Sequence, residues 1–451
     1  MKCTDKIIII GAGVSGINAA TKLVDNGYPG ELITIIDMGK DPYNRLPSEV
    51  MTGFLGCGGW SDGKLTYHTA IGGQLSKYCG EDKAMELMDQ VINNFRRFHP
   101  KPEVIQCSHP TEEPEFIKPY FGLRLFPVWH VGTDYLFEIA KNWYDYLCEK
   151  GVKFKWNEKV DHINFTSQII TSSTVDMLDL IQIKYDKLIV GTGKSGIDFT
   201  KGLIDKNQFP IEEKPAQIGV RFEAPQKHFQ KLIDISYDFK LYRKFDSEGV
   251  SLRSFCTNNN AAYVAVEETY GDFSYNGHAK KDKSYENGMT NFGILMEIKG
   301  IDNPFQWARD IVKECQGNND RIGDHALTTG NSGLYYSPSR RPSLTSEGNY
   351  VKSYEINSKG LERVNLAFHG YFKYITDFIV DLKKVFPTLK NDWGIYIPEV
   401  KYLTGEILTN YEDISLEKYP NVHFVGDALS ARGITVAGSQ GVYVAESILN
   451  M

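Results

Sequence analysis

Gly11-Ala12-Gly13-Val14-Ser15-Gly16 has the residue types and spacing to hold a pyrophosphate. The apolar run before it, ending at Ile10, reads as a short buried parallel strand. Residues 15–26 read as a helix, and residues 31–37 (Glu-Leu-Ile-Thr-Ile-Ile-Asp) as a second strand closing on Asp37. In such a unit Gly11 permits the tight turn, Gly13 lets the backbone approach the phosphates, and Gly16 lets the helix pack closely on the strand. The helix start, at Val14 and Ser15, offers free N–H groups and positive potential. The Asp37 carboxylate would accept hydrogen bonds from the adenosine ribose. This fingerprint serves NAD and FAD alike and does not choose between them.

Two later segments bear on that choice. Residues 186–190 form a short apolar strand that runs into Gly191-Thr192-Gly193 and opens a second glycine pattern ending at Gly196. No apolar strand with a terminal acid follows, only Asp198-Phe199-Thr200-Lys201 and then a proline-containing loop, so a second nucleotide domain is rejected. Near the C-terminus, Val422-His423-Phe424-Val425 leads into Gly426-Asp427. The first of these segments resembles the element at which flavoproteins of the glutathione-reductase superfamily return to the FAD domain. The second resembles their C-terminal strand–Gly–Asp signature. The resemblance implies FAD as cofactor, with Asp427 on its ribityl and pyrophosphate part. It also implies that the stretch from Gly433 to Gly441, including Gly438, presents backbone N–H groups to the flavin pyrimidine.

Further segments resemble one family in this superfamily, the FAD-dependent (NAD(FAD)-utilising) dehydrogenases. They are Gly58-Gly59-Trp60-Ser61-Asp62-Gly63-Lys64-Leu65, His130-Val131-Gly132-Thr133-Asp134, residues 218–223, Leu252-Arg253-Ser254-Phe255-Cys256, Asn276-Gly277-His278, Asn291-Phe292, Arg321-Ile322-Gly323-Asp324 and Glu399-Val400-Lys401. The chain departs from the family pattern in three ways. The fingerprint starts at residue 11, without the family's common N-terminal extension. The cysteine segment that often precedes Ser61 is not recognisable, and region 323–344 is rearranged.

The loop Ser61-Asp62-Gly63-Lys64 is the first choice for contacting the flavin ring, with Lys64 bonding N5 or holding an anionic substrate group. Its alternative is a helix cap with a solvated lysine. His130 and His278 are candidate general acids or bases because histidine titrates near neutrality, although a lone histidine is more often a structural hydrogen-bonding residue. Arg221 and Arg253 lie on expected strands, where an arginine is either a carboxylate clamp or half of an ion pair. Cys57 lies in the flavin loop, with no resolving cysteine near it in sequence.

The fold class expected is α/β: a Rossmann-type FAD-binding domain with an inserted mixed α+β substrate domain. Residues 1–200 and 388–451 would form the first and 201–387 the second. With 451 residues, a net charge of −7 and a pI of about 5.9, the chain lacks the basic field that holds nucleic acid or an anionic membrane. Its 7 scattered cysteines form no CxxC pair, so no metal site is expected and a cytoplasmic setting fits. The reaction expected is hydride transfer between a small organic substrate and flavin N5, with NAD(P)H as a transient reductant. The alternatives are a flavin monooxygenase, a non-catalytic FAD-binding redox or regulatory module, and flavin-dependent modification of RNA.

Overall fold

The computed structural model describes residues 4–47, 49–61, 63–112, 114–174, 180–269, 272–316, 334–338 and 354–450. The chain forms two compact units. The first comprises Met1–Cys107, Trp129–Glu213 and Thr404–Met451, and the second Ser108–Val128 and Lys214–Leu403.

The first unit is mixed α/β around a six-stranded sheet. Strand β1 (Ile7–Ile10) lies at its centre, parallel to Lys187–Val190 on one side and to β2 (Ile33–Ile36) on the other. All four isoleucines of β1 are buried, as a parallel strand covered on both faces requires. Lys153–Lys155 extends the sheet beyond β2, and Tyr419–Phe424 extends it beyond Lys187–Val190. Helix α1 (Val14–Asp25) follows β1 directly. The helix Glu81–Phe98 buries Ala84, Leu87, Met88, Val91, Ile92, Phe95 and Phe98, a stripe at helical spacing.

The C-terminal helix runs from Ile434 to Asn450 and takes in most of the stretch from Gly433 to Gly441. A Cβ on Gly441 would stand 2.0 Å from the Ser15 carbonyl oxygen, and one on Gly438 would stand 2.9 Å from the Val91 methyls. These glycines are the contact surface of a closely packed helix. The first unit also holds an antiparallel sheet of Glu158–Asn164, Ile169–Thr174 and Leu180–Lys184.

The second unit is built on an eight-stranded sheet. Ala216–Pro225 lies between Met289–Ile298 and Gly394–Lys401, antiparallel to both. The unit also takes in a short strand, Gly122–Arg124, paired with Lys240–Phe245. Consequently residues 108–128, and 388–403 with their strand Gly394–Lys401, belong here rather than with the nucleotide fingerprint as the expected boundaries had them. Phe222 and Phe292 stack at 5.0 Å on one face of this sheet, with Phe229, Phe239 and Phe386 beside them. No described helix is long and apolar enough to cross a membrane.

Candidate functional site

The β1–α1 turn is shaped by what its glycines must avoid. Gly11 has φ +101°, and a Cβ there would stand 2.2 Å from the Gly191 carbonyl oxygen. Gly16 is equally constrained, since its Cβ would lie 2.3 Å from the Gly11 carbonyl oxygen and 2.9 Å from the Ile9 side chain. Gly13 is different: its φ is −70°, and a Cβ would find its nearest neighbour, the Gly191 oxygen, at an ordinary 3.8 Å. The surrounding protein does not demand a glycine at position 13. The missing side chain leaves a cradle at the start of α1, a helix with no side-chain cap and no acid in its first turn. Uncapped first-turn N–H groups beside an open cradle suit a phosphate group.

Ser15 is buried in the same place, its Oγ 3.0 Å from where a Cβ of Gly191 or of Gly426 would lie. The Gly426 N–H donates to Gln440 Oε1 at 2.8 Å, which fixes the turn after the Tyr419–Phe424 strand. The ends of three parallel strands thus converge on the cradle at Gly13, Gly191 and Gly426.

Asp37 does more than the fingerprint implies. Its carboxylate accepts from three backbone N–H groups, Ala12 at 2.8 Å, Gly39 at 2.7 Å and Gly53 at 2.9 Å. A carboxylate offers about four lone-pair directions, so most of its capacity ties the glycine turn to the loops around it and about one direction is left for a hydroxyl.

Lys64 and His130 come to neighbouring strands. Lys64 opens the strand Lys64–Thr66, His130 ends the strand Val128–His130, and the two strands pair. Both side chains are buried, Lys64 at 7% and His130 at 4% exposure, so Lys64 is neither in a loop nor solvated. The segment before it is anchored by Val131 N–H donating to the Gly63 carbonyl at 2.8 Å and Thr133 Oγ1 donating to the Ser61 carbonyl at 2.6 Å. Ser61 is buried and its hydroxyl donates to the Gly58 carbonyl at 3.3 Å, while Asp62 lies outside the described residues.

Thr192 hydrogen-bonds Thr200 across their hydroxyls at 3.0 Å, and beside it Gly193 has nothing within 4 Å of its Cβ position. Asp427 pairs with Arg432, Oδ1 to Nε at 2.5 Å. Gly438 faces Val91 and Asn18 inside the helix packing, because the helix has begun four residues before it; Gly433 stands at the helix start instead. A cleft of about 750 Å³ opens nearby, lined among others by His68, Thr69, Gln74, Ser76, Lys77 and Glu81. Gly73 also lines it, and Gly72 and Gly73 pack against Arg432, Ala431 and Val436 ahead of and within the C-terminal helix.

His278 belongs to the second unit, on the hairpin strand Asp272–Ala279, buried with its ring stacked on Tyr263 at 5.1 Å. The same unit encloses Arg221, fully buried, whose guanidinium bonds Asn291 Oδ1 at 2.6 and 2.9 Å and pairs with Glu399 at 3.4 Å. Of the two readings for Arg221, the structure shows the ion pair. Arg253 donates to Gln217 Oε1 at 3.1 Å. The Arg321–Asp324 segment and most of region 323–344 lie outside the described residues.

One buried charged side chain carries no sequence signal at all. Arg45 sits in a polar loop after β2 and is nonetheless buried at 3% exposure.

No protein family's sequence profile matches the chain. An uncharacterized protein of Clostridium beijerinckii is 24% identical over 319 residues, covering 65% of this chain and 52% of that protein. The chain therefore spans about half the length of the curated relative it matches. Among solved structures, the chain is similar to a flavoprotein/dehydrogenase from Cytophaga hutchinsonii at 11% identity and a TM-score of 0.41, over 99% of this chain and 78% of that one. It is similar to a formate oxidase of Aspergillus oryzae at 10% identity and a TM-score of 0.44, over 99% and 98%. It is also similar to an FAD-complexed glycerol-3-phosphate dehydrogenase from Bacillus halodurans at 11% identity and a TM-score of 0.41, over 100% and 65%. Likenesses this distant carry neither fold nor activity over to this chain.

Proposed function

We propose that the first unit binds FAD and that the protein is an FAD-dependent oxidoreductase acting on a small organic substrate. The observation that carries this reading is the cradle at Gly13: a glycine that the protein's own packing does not require, at an uncapped helix start, between the turns at Gly191 and Gly426. The α1 N–H groups would hold the diphosphate, Asp37 a ribose hydroxyl, and Asp427, steadied by Arg432, the ribityl chain. FAD would supply a two-electron acceptor at N5, and NAD(P)H would be a transient reductant.

The chain's own contribution to the chemistry would come from Lys64 and His130. Burial of an ammonium and an imidazole on paired strands gives one group to orient an anionic substrate and one to hold or release a proton. The cleft beside Gly73 would admit the substrate, with His68, Lys77 and Gln74 as polar contacts. His278 stands in the proposed substrate unit as a further proton-transfer candidate.

Purified protein, reconstituted with FAD if colourless, is to be mixed anaerobically with NADH, NADPH and candidate reductants while the flavin visible band is followed. Bleaching by a substrate supports the enzyme. A protein that takes up no FAD refutes the proposal, and one that binds FAD but is turned over by nothing favours the non-catalytic module.

A further inference from the structure

Arg45 has an environment unusual for a charged residue. It is 3% exposed, and its guanidinium spends its donors on main-chain carbonyls: Nε on Glu49 at 2.8 Å, Nη1 on Phe54 at 2.6 Å, and Nη2 on Val50 at 2.8 Å and Gly56 at 3.2 Å. Its flat face lies over the Trp60 ring, 4.2 Å from the centroid. Among the described residues no carboxylate comes within ion-pair distance of it; Glu49 is instead paired with Lys40 at 2.6 Å. Burial lowers the guanidinium pKa to about 10, opposed at longer range by Asp37, Cys57 and Glu49. A buried cation held by carbonyl dipoles, with carboxylates only at longer range, is costly, and an anion arriving nearby would relieve that cost.

The loop that Arg45 grips leads to the cradle. Leu55, flanked by the two gripped residues Phe54 and Gly56, forms a parallel bridge with Gly13. A Cβ on Gly56 would stand 3.1 Å from the Gly13 Cα. The Gly53 N–H, at the start of the same stretch, is held by Asp37. The guanidinium therefore holds the carbonyls on either side of the residue that bridges to Gly13.

We propose that Arg45 is the positioning residue of the phosphate turn: it fixes residues 54–56 against Gly13 and supplies the buried positive charge that a bound diphosphate requires. This rests on reading the turn as the FAD pyrophosphate site.

The test uses the full chain stripped of flavin, with FAD, ADP and adenosine titrated by calorimetry into wild type, Arg45→Met and Arg45→Lys. Circular dichroism and thermal unfolding check the fold of each. The expected result is that Arg45→Met loses about 10- to 100-fold in affinity for ADP and FAD, the size of a charge-assisted contact, while adenosine changes less than about twofold. Arg45→Lys keeps the charge and is expected to bind ADP within about fivefold of wild type. A loop-holding role without a charge contribution would weaken ADP and adenosine alike in both variants, and that outcome overturns the proposal. So does unchanged ADP binding by a folded Arg45→Met. If Arg45→Met does not fold, Arg45→Gln takes its place, keeping donors for the carbonyls without the charge: a selective loss of ADP over adenosine is expected, and equal loss of both, or no loss, overturns the proposal. A wild-type chain that binds neither FAD nor ADP overturns the reading of the turn itself, a failure distinct from the failure of Arg45 alone.

Discussion

Gly11 rests on the Gly191 carbonyl so closely that a β-carbon would stand 2.2 Å from that oxygen, whereas the same oxygen lies 3.8 Å from where a β-carbon of Gly13 would be. Packing requires glycine at position 11 and does not require it at position 13, which the proposed function assigns to the bound diphosphate. Gly11→Ala is expected to destabilise the protein by about 2–4 kcal/mol, through strain at φ +101° and displacement of the Gly191 turn. Chemical denaturation of the flavin-free chain measures this, and a shift of less than about 0.5 kcal/mol would contradict the packing account.

Asp37 should matter to stability even without cofactor. Asp37→Ala strips the acceptor from the N–H groups of Ala12, Gly39 and Gly53. The expected loss is about 2–4 kcal/mol in the flavin-free protein, alongside weakened nucleotide binding. Urea unfolding with and without ADP separates the two effects. Stability equal to wild type would show that these bonds are not holding the turn.

His423 makes the first unit acid-sensitive. Burial lowers its pKa from 6.5 to about 4, partly offset by the Asp413 carbonyl, which accepts from Nδ1–H at 3.0 Å. That bond places the proton on Nδ1 and leaves Nε2 a buried acceptor without a partner among the described residues. The folded state binds the extra proton less readily than the unfolded chain, so stability is full above about pH 6.5 and falls as pH drops toward 4. Between pH 7 and pH 5 this group should account for a loss of about 2 kcal/mol. His423→Gln should flatten that part of the stability–pH curve. A variant with the same acid slope as wild type would show that another group sets it.

Lys64→Met and His130→Gln should keep the flavin and lose turnover. Both side chains are buried on paired strands, away from the cradle glycines in sequence. The expected effect on the anaerobic reduction rate is a loss of about 10²- to 10⁴-fold at unchanged FAD stoichiometry. Loss of FAD in either variant would reassign the residue to cofactor binding, and an unchanged rate would remove it from the chemistry.

The parts of the fold visible in sequence are those made by local pattern. Ile7–Ile10 and the glycines after it define a buried strand and a tight turn, and the apolar spacing from Ala84 to Phe98 defines a helix. What was not legible depends on distant partners. Gly438 lowers helix propensity and reads as lying before the helix, yet Val91 approaches it so closely, as Ser15 approaches Gly441, that glycine is what fits in the helix. Gly122–Arg124 joins the second unit by pairing with Lys240–Phe245, a contact that no local pattern shows. Lys64 reads as a loop residue because glycines surround it, although it begins a paired strand. Arg45 has no signal, since burial of an arginine by backbone carbonyls leaves no trace in residue type.

The central claim, that the cradle at Gly13 holds the diphosphate of FAD, is tested most directly by titrating FAD into flavin-free wild type and Gly13→Val, with thermal unfolding of both. The account predicts one FAD bound per wild-type chain and none retained by Gly13→Val, with thermal unfolding showing the variant folded; a β-carbon there meets no protein atom beyond its chain neighbours closer than 3.8 Å. A folded Gly13→Val that binds FAD as tightly as wild type would contradict it.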